Sequence, residues 1–165
     1  MEFILRPWLK SDLDNLVKHA NNPKIAQFMT NGFPHPYTKE HGEKWLEMAT
    51  ASQPAKFLCI EINGEAVGGI GIHVQTDIMC KNAELGYWLS EDYWGNGIIP
   101  KAVSQVVDYG YKNFDITRIY ARPFGNNPAS QRVLEKCGFK LEACIEKSIF
   151  KNGEFLDELI YAVRK

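Results

Sequence analysis

Apolar positions along this chain fall into two periods. Phe57 to Ile62, Ala66 to Val74 and Ala83 to Leu89 are short, dense blocks, whereas Val103, Val106, Val107, Gly110, Tyr111 and Phe114 recur at helical spacing. The blocks predict three successive strands, and the stripe predicts a helix that begins near Pro100. Asn63-Gly64 separates the first two blocks and is a tight-hairpin signal, because both central residues of such a turn need positive φ. Those strands are therefore expected to be antiparallel. Upstream, Phe3 to Arg6 predicts a strand stopped by Pro7, and Ser11-Asp-Leu-Asp14 predicts a helix start with a capping side chain. That helix runs to about Asn22, and a second spans roughly Thr38 to Ser52. Between them, Phe28, Met29, Phe33 and Tyr37 stand among prolines, a glycine and polar residues. This mixture is expected of a binding loop rather than a core element, with Phe33 and Tyr37 as candidate substrate contacts. Downstream, a strand from Arg118 to Arg122 follows the Pro100 helix, which makes a crossover unit with a parallel neighbour. A helix from Asn127 to Cys137 and a hairpin of Phe139–Phe150 with Glu154–Val163, turning at Asn152-Gly153, complete the order.

Composition narrows the class. With 165 residues, 45% hydrophobic and 24% charged, the chain can bury one ordinary core, and a single domain over 1–165 is expected. A formal net charge of −1 argues against a broad basic footprint for nucleic acid. The first residues lack a basic segment followed by a long apolar one, and no apolar run approaches membrane-spanning length, so a cytoplasmic protein without membrane partners is expected. Cys59, Cys80, Cys137 and Cys144 form no C-x-x-C pair, and His19, His35, His41 and His73 lack zinc spacing. Reduced thiols and no metal are expected.

One segment carries chemistry. Tyr93-Trp94-Gly95-Asn96-Gly97-Ile98-Ile99 lies where a strand hands over to a helix, so main-chain N–H groups gather there and suit a phosphate without a cation. Glycines at 95 and 97 admit close approach or positive φ. Position 100 is proline, so the third glycine of the dinucleotide fingerprint is missing, and no G-K-[ST] follows for a P-loop.

The element order, with Leu5-Arg6-Pro7, Ala83-Glu84-Leu85-Gly86-Tyr87-Trp88-Leu89, Tyr93-Trp94-Gly95-Asn96-Gly97, Asn127-Pro-Ala-Ser130, Glu135-Lys136-Cys-Gly138-Phe139 and Lys151-Asn-Gly153, resembles the GCN5-related N-acetyltransferase (GNAT) superfamily over nearly the whole chain. Its nearest look is to the Rim-type branch of ribosomal-protein N-terminal acetyltransferases. The resemblance implies an α/β (α+β) fold: a mixed, mostly antiparallel sheet of six to seven strands with a splayed central parallel pair and about four helices. It also implies acetyl-CoA as donor, coenzyme A as product, no metal, and a primary amine as acceptor, either a small molecule or a protein N-terminus, in a monomer or homodimer.

In that family the loop matching Trp94 to Ile99 holds the pyrophosphate, and the strand matching Tyr87, Trp88 and Leu89 bonds the pantetheine by main chain. Two places depart from the family's pattern. The loop there begins with Arg or Gln and ends with Gly or Ala, where this chain has Trp94 and Ile99. A tyrosine acid usual on the second helix falls at Leu134. Glu84 is the candidate general base, given that an apolar wall of Ala83, Leu85 and Tyr87 would raise its pKa toward neutrality; the other reading is a solvated strand-end carboxylate. Ser130 matches a Rim-branch serine near the sulfur, and as a first-turn hydroxyl it equally suits a local bond to Asn127. Asn127 holds the pantetheine amide, caps its helix, or does both. Tyr87 and Trp88 are either sheet-face aromatics or an acceptor wall. The expected function is transfer of acetyl to an amine by direct attack in a ternary complex; the alternative is a catalytically weak acyl-CoA-binding or regulatory module.

Overall fold

The computed structural model describes all residues, 1–165. In chain order the elements are β1 (Ile4–Pro7), α1 (Leu13–Ala20), α2 (Pro23–Ala26), α3 (Lys39–Ala49), β2 (Phe57–Ile62), β3 (Glu65–Val74), β4 (Asn82–Leu89), α4 (Ile98–Asn113), β5 (Arg118–Ala121), α5 (Pro128–Lys136), β6 (Lys140–Lys151) and β7 (Glu154–Arg164). The strands form one mixed seven-stranded sheet in the order β1-β2-β3-β4-β5-β7-β6. Its parallel pair is β4 with β5, where Asn82, Ala83 and Glu84 stand opposite Arg118, Ile119 and Tyr120. Antiparallel pairing and positive φ at Asn63 (51°) and Gly64 (82°) match the predicted β2–β3 hairpin, and Asn152 and Gly153 repeat the turn between β6 and β7. The chain divides into two compact units, Met1–Gly71 with Tyr87–Ala102, and Ile72–Gly86 with Val103–Lys165.

In the first unit, α1 presents Leu16 and Ala20 to a core that also takes Trp8, Ile25, Tyr37 and Leu46. Helices α1 and α3 pack closely at Gly42, where a Cβ would lie 2.8 Å from Leu13 Cδ1. Thr38 caps α3 as its side chain accepts from the His41 N–H. Two expectations change here. The segment from Ile25 to Tyr37 opens with α2 and buries Ile25, Ala26 and Tyr37, so its apolar residues are largely core. The helix start at Ser11–Asp14 is preceded by a 3-10 turn over Lys10–Asp12, and no capping side chain serves α1. Asp12 instead reaches backward: it accepts from the Leu9 N–H at 2.8 Å and from both terminal nitrogens of Arg6 at 2.8 Å, while Arg6 Nε donates to Glu61 on β2 at 2.5 Å. A bidentate arginine on β1 outcompetes the local cap.

That network sets a pH dependence. Burial opposes ionisation of Asp12, but the Arg6 hydrogen bonds and the Leu9 N–H outweigh it and hold the carboxyl below its usual range. A carboxyl depressed in the folded state contributes stability that is complete above its unfolded value, near ~3.9, and is lost as pH falls through the folded value. Asp12→Ala is therefore expected to lower stability by about 2 kcal/mol at neutral pH and to flatten the acid limb of a denaturation profile. Equal acid sensitivity in the variant and the wild type would remove Asp12 from that limb.

In the second unit, Val103, Val106, Ile119 and Leu134 are fully buried. Gly110 lets α4 approach closely, with Ile72 Cδ1 and Ile119 Cδ1 3.0 and 3.2 Å from where a Cβ would stand. Helix α4 begins at Ile98, close to the expected start near Pro100, and a proline in the first turn forfeits only an N–H that has no partner inside the helix. Strand β6 is mostly exposed along its 12 residues.

Candidate active site

The first unit carries the glycine loop that leads into α4. After Leu89 ends β4, a 3-10 turn over Glu91–Tyr93 leads to Trp94, whose indole Nε1 donates to the Leu89 carbonyl at 2.8 Å. Asn96 Nδ2 donates to the carbonyls of Tyr93 and Trp94, both at 3.1 Å. The loop's polar side chains are thus spent on its own shape. Gly95 and Gly97 have φ of 76° and 70°, and no atom stands within 4 Å of where a Cβ would be at either. Directly after them starts α4, 16 residues long, whose first N–H groups carry the positive end of its dipole. Ile98 is buried, so its side chain anchors the helix start and only its main chain is left for a ligand; Ile99 is half-buried in the same turn.

Of the other candidates in this unit, the Trp88 and Leu89 side chains are buried, while Tyr87 is half-buried. Phe33 packs against Trp88 and Tyr37 at ring-centroid distances of 5.6 and 5.0 Å. Tyr37 is only 5% exposed, and burial pushes its phenol up to about 12. Phe33 therefore keeps an exposed edge, whereas Tyr37 serves as core.

The second unit carries the polar cluster. Glu84 is 31% exposed; its Oε2 accepts from the Tyr120 hydroxyl at 3.5 Å and lies 3.8 Å from the Arg122 guanidinium. The expected apolar wall is absent, because strand alternation turns Ala83 and Leu85 to the buried face and Glu84 to the other. Arg122 also donates from Nε to the buried Glu158, and that bond foremost holds the guanidinium in its charged form. Tyr120 has its phenol raised, first by burial and then by the Glu84 charge, and Arg118 sits 4.8 Å over its ring. Arg118 in turn donates to Asn82 at 2.9 Å and to Glu142 at 2.5 Å. On α5, Asn127 caps the helix by accepting from the Ser130 N–H at 3.2 Å, so the bond between them uses the main chain of Ser130. Leu134, at the place of the usual tyrosine acid, is fully buried.

Tyr120, Arg122 and Glu158 are not among the site residues expected from sequence. Period-2 alternation over Arg118–Arg122 puts Arg118, Tyr120 and Arg122 on one face, and the parallel register carries Asn82 and Glu84 to that same face. The alternation was readable; the register was not.

The family model of the acetyltransferase (GNAT) domain matches residues 2–140. The chain belongs to the GNAT family. Among GNAT relatives, the uncharacterized N-acetyltransferase YoaA of Bacillus subtilis is 35% identical over 101 residues, 61% of this chain and 56% of that protein. The ribosomal-protein-serine acetyltransferase of Escherichia coli is 32% identical over 108 residues, 66% of this chain and 60% of that protein. The matched stretch thus spans less than two thirds of either relative. RimL, a ribosomal alpha-N-protein acetyltransferase solved with coenzyme A, has the same GNAT fold, with a TM-score of 0.87 at 23% identity over 98% of this chain and 93% of that one. The ribosomal-protein-serine acetyltransferase puts a Rim-type enzyme among the relatives of this chain, and the RimL structure shows the shared fold.

Proposed function

We propose that this chain is one GNAT domain over 1–165 that moves acetyl from acetyl-CoA to a primary amine, a protein N-terminus or a small molecule, in the cytoplasm. The observation that carries the reading is the open Trp94–Ile99 cradle at the start of α4, with positive φ at both glycines and free space in front of them. A Cβ at either glycine would stand where a pyrophosphate has to approach the main chain. Main-chain groups of Tyr87, Trp88 and Leu89 and the Asn127 amide are assigned to the pantetheine arm, and Phe33 to the acceptor.

Acetyl-CoA supplies an activated thioester. The chain's own task is to orient it and to move two protons. The attacking amine has to shed a proton as the C–N bond forms, and the sulfur has to gain one as the C–S bond breaks. Glu84 is assigned to the amine side, directly or through water, with Tyr120 and Arg122 holding its carboxylate in place. Ser130 is assigned to the sulfur side, since Leu134 has no proton to give. Release of free thiol from acetyl-CoA in the presence of a panel of α-amines, polyamines and lysine peptides tests the reading. Binding of coenzyme A without thiol release from any of them would favour the binding-module alternative.

Ile99 allows a separate test. If its branched side chain crowds the phosphates, Ile99→Ala is expected to bind coenzyme A at least as tightly as wild type. Clearly weaker binding by calorimetry would instead assign Ile99 to packing of the α4 start.

A further inference from the structure

We infer that His19 is a positioning residue for the phosphate-binding loop: its ring, held by Glu65, fixes Ser90 and through it the turn from which Trp94–Gly97 departs. The inference rests on the coenzyme A reading of that loop. His19 stands in the last turn of α1 with its side chain 5% exposed, and both ring nitrogens are engaged. Nδ1 lies 3.0 Å from Ser90 Oγ and Nε2 lies 3.1 Å from Glu65 Oε2. The His19 contact foremost, then Lys18, holds the Glu65 carboxyl below its usual range, so it acts as an acceptor only. Nε2 therefore carries the proton, and in the neutral ring Nδ1 accepts from the Ser90 hydroxyl.

Ser90 occupies the N-cap place of the Glu91–Tyr93 turn, where a serine hydroxyl ordinarily accepts from the N–H groups ahead of it. No such cap bond forms here. The hydroxyl is directed to His19 instead, while the Ser90 N–H donates to the Val67 carbonyl at 2.8 Å and its carbonyl accepts from the Tyr93 N–H at 3.0 Å. The helix pair grips the same turn twice more. Asn22 Nδ2 and Lys24 Nζ donate to Glu91 at 2.9 and 2.5 Å, and the Tyr93 ring meets the His19 ring at 6.4 Å between centroids. A loop that offers main-chain donors and has open space at both glycines depends on anchors at its two ends. Buried Ile98 is the far anchor, and the turn held by His19 is the near one.

An anchor of this kind changes donor affinity and leaves the chemical step alone, so the signature is a raised KM for acetyl-CoA at constant kcat. His19→Asn places an amide near the position of Nδ1 and keeps a partner for Ser90. His19→Gln reaches the position of Nε2 and keeps Glu65 but loses Ser90. The Gln variant and Ser90→Ala are each expected to weaken coenzyme A binding about tenfold, the effect of one lost buried hydrogen bond, and the pair together no more than either alone. His19→Asn, which gives up the Glu65 contact and the Tyr93 ring contact but keeps a partner for Ser90, is expected to lose clearly less affinity than His19→Gln. Calorimetry with coenzyme A and steady-state rates over a range of acetyl-CoA concentrations, together with circular dichroism of each variant, read all of this. Ser90→Ala removes one oxygen and carries the test alone if a His19 variant does not fold. Equal loss of affinity in the Asn and Gln variants, or Ser90→Ala binding as wild type, overturns the inference while leaving the loop as the site. Wild-type protein that does not bind coenzyme A overturns both.

Discussion

Gly97→Asp is expected to abolish measurable coenzyme A binding. Gly97 sits at φ 70° with nothing within 4 Å of a Cβ, so the substitution leaves the free loop standing at a strain of roughly 1–2 kcal/mol. The bound state suffers far more. An aspartate there would set a negative charge against a pyrophosphate at about 4 Å, which near a protein surface costs on the order of 4 kcal/mol per charge pair. The carboxylate would also compete for the same N–H groups at the start of α4. Together these amount to an affinity loss of at least about a thousandfold. Gly97→Ala carries the strain and some bulk without the charge, and is expected to lose far less. Calorimetric titration with coenzyme A reads both, and equal affinity in wild type and Gly97→Asp would take the loop out of the site.

Glu84→Gln is expected to lower turnover by ~10²-fold or more with a lysine-like acceptor and much less with an α-amine. The difference comes from the acceptor. At pH 7 roughly a tenth of an α-amine is neutral, against under a thousandth of a lysine amine, so only the latter depends strongly on a protein base. Glutamine keeps the size of the side chain and an acceptor for the Tyr120 hydroxyl, which limits structural disturbance. Tyr120→Phe, which removes only that hydroxyl, is expected to have a smaller effect of the same sign. Steady-state rates with both acceptor types at saturating acetyl-CoA make the comparison. Equal rates for Glu84→Gln and wild type with both acceptors would leave solvent as the proton route and reduce Glu84 to a partner of Arg122.

The α/β order of elements, both Asn-Gly hairpins and the glycine loop at the start of α4 were legible from sequence because each is written locally. Residue period sets helix or strand, and a turn needing two positive φ values admits few residues. The GNAT reading drew on that same order, and the fold carries it through β7. Where residues far apart in the chain compete for one partner, sequence alone was insufficient. Ser11–Asp14 reads as a capped helix start, yet Asp12 is taken by Arg6, which Glu61 on β2 holds from its other side, and Tyr37 reads as a binding-loop residue until the core of the first unit closes over it. Glu84 has two readings in the sequence, and the apolar-wall one falls because neighbours in sequence on a strand point to the opposite face. The residues that do surround it, Tyr120 and Arg122, arrive through the parallel register of β4 with β5, and Glu158 is placed by the pairing of β7. His19 shows the same limit: no local pattern marks it, and only the fold brings it to Ser90 and Glu65, 71 and 46 residues away. Local conformational preference is encoded residue by residue, whereas side-chain partners across strands and helices are decided by packing and register, which no single segment contains.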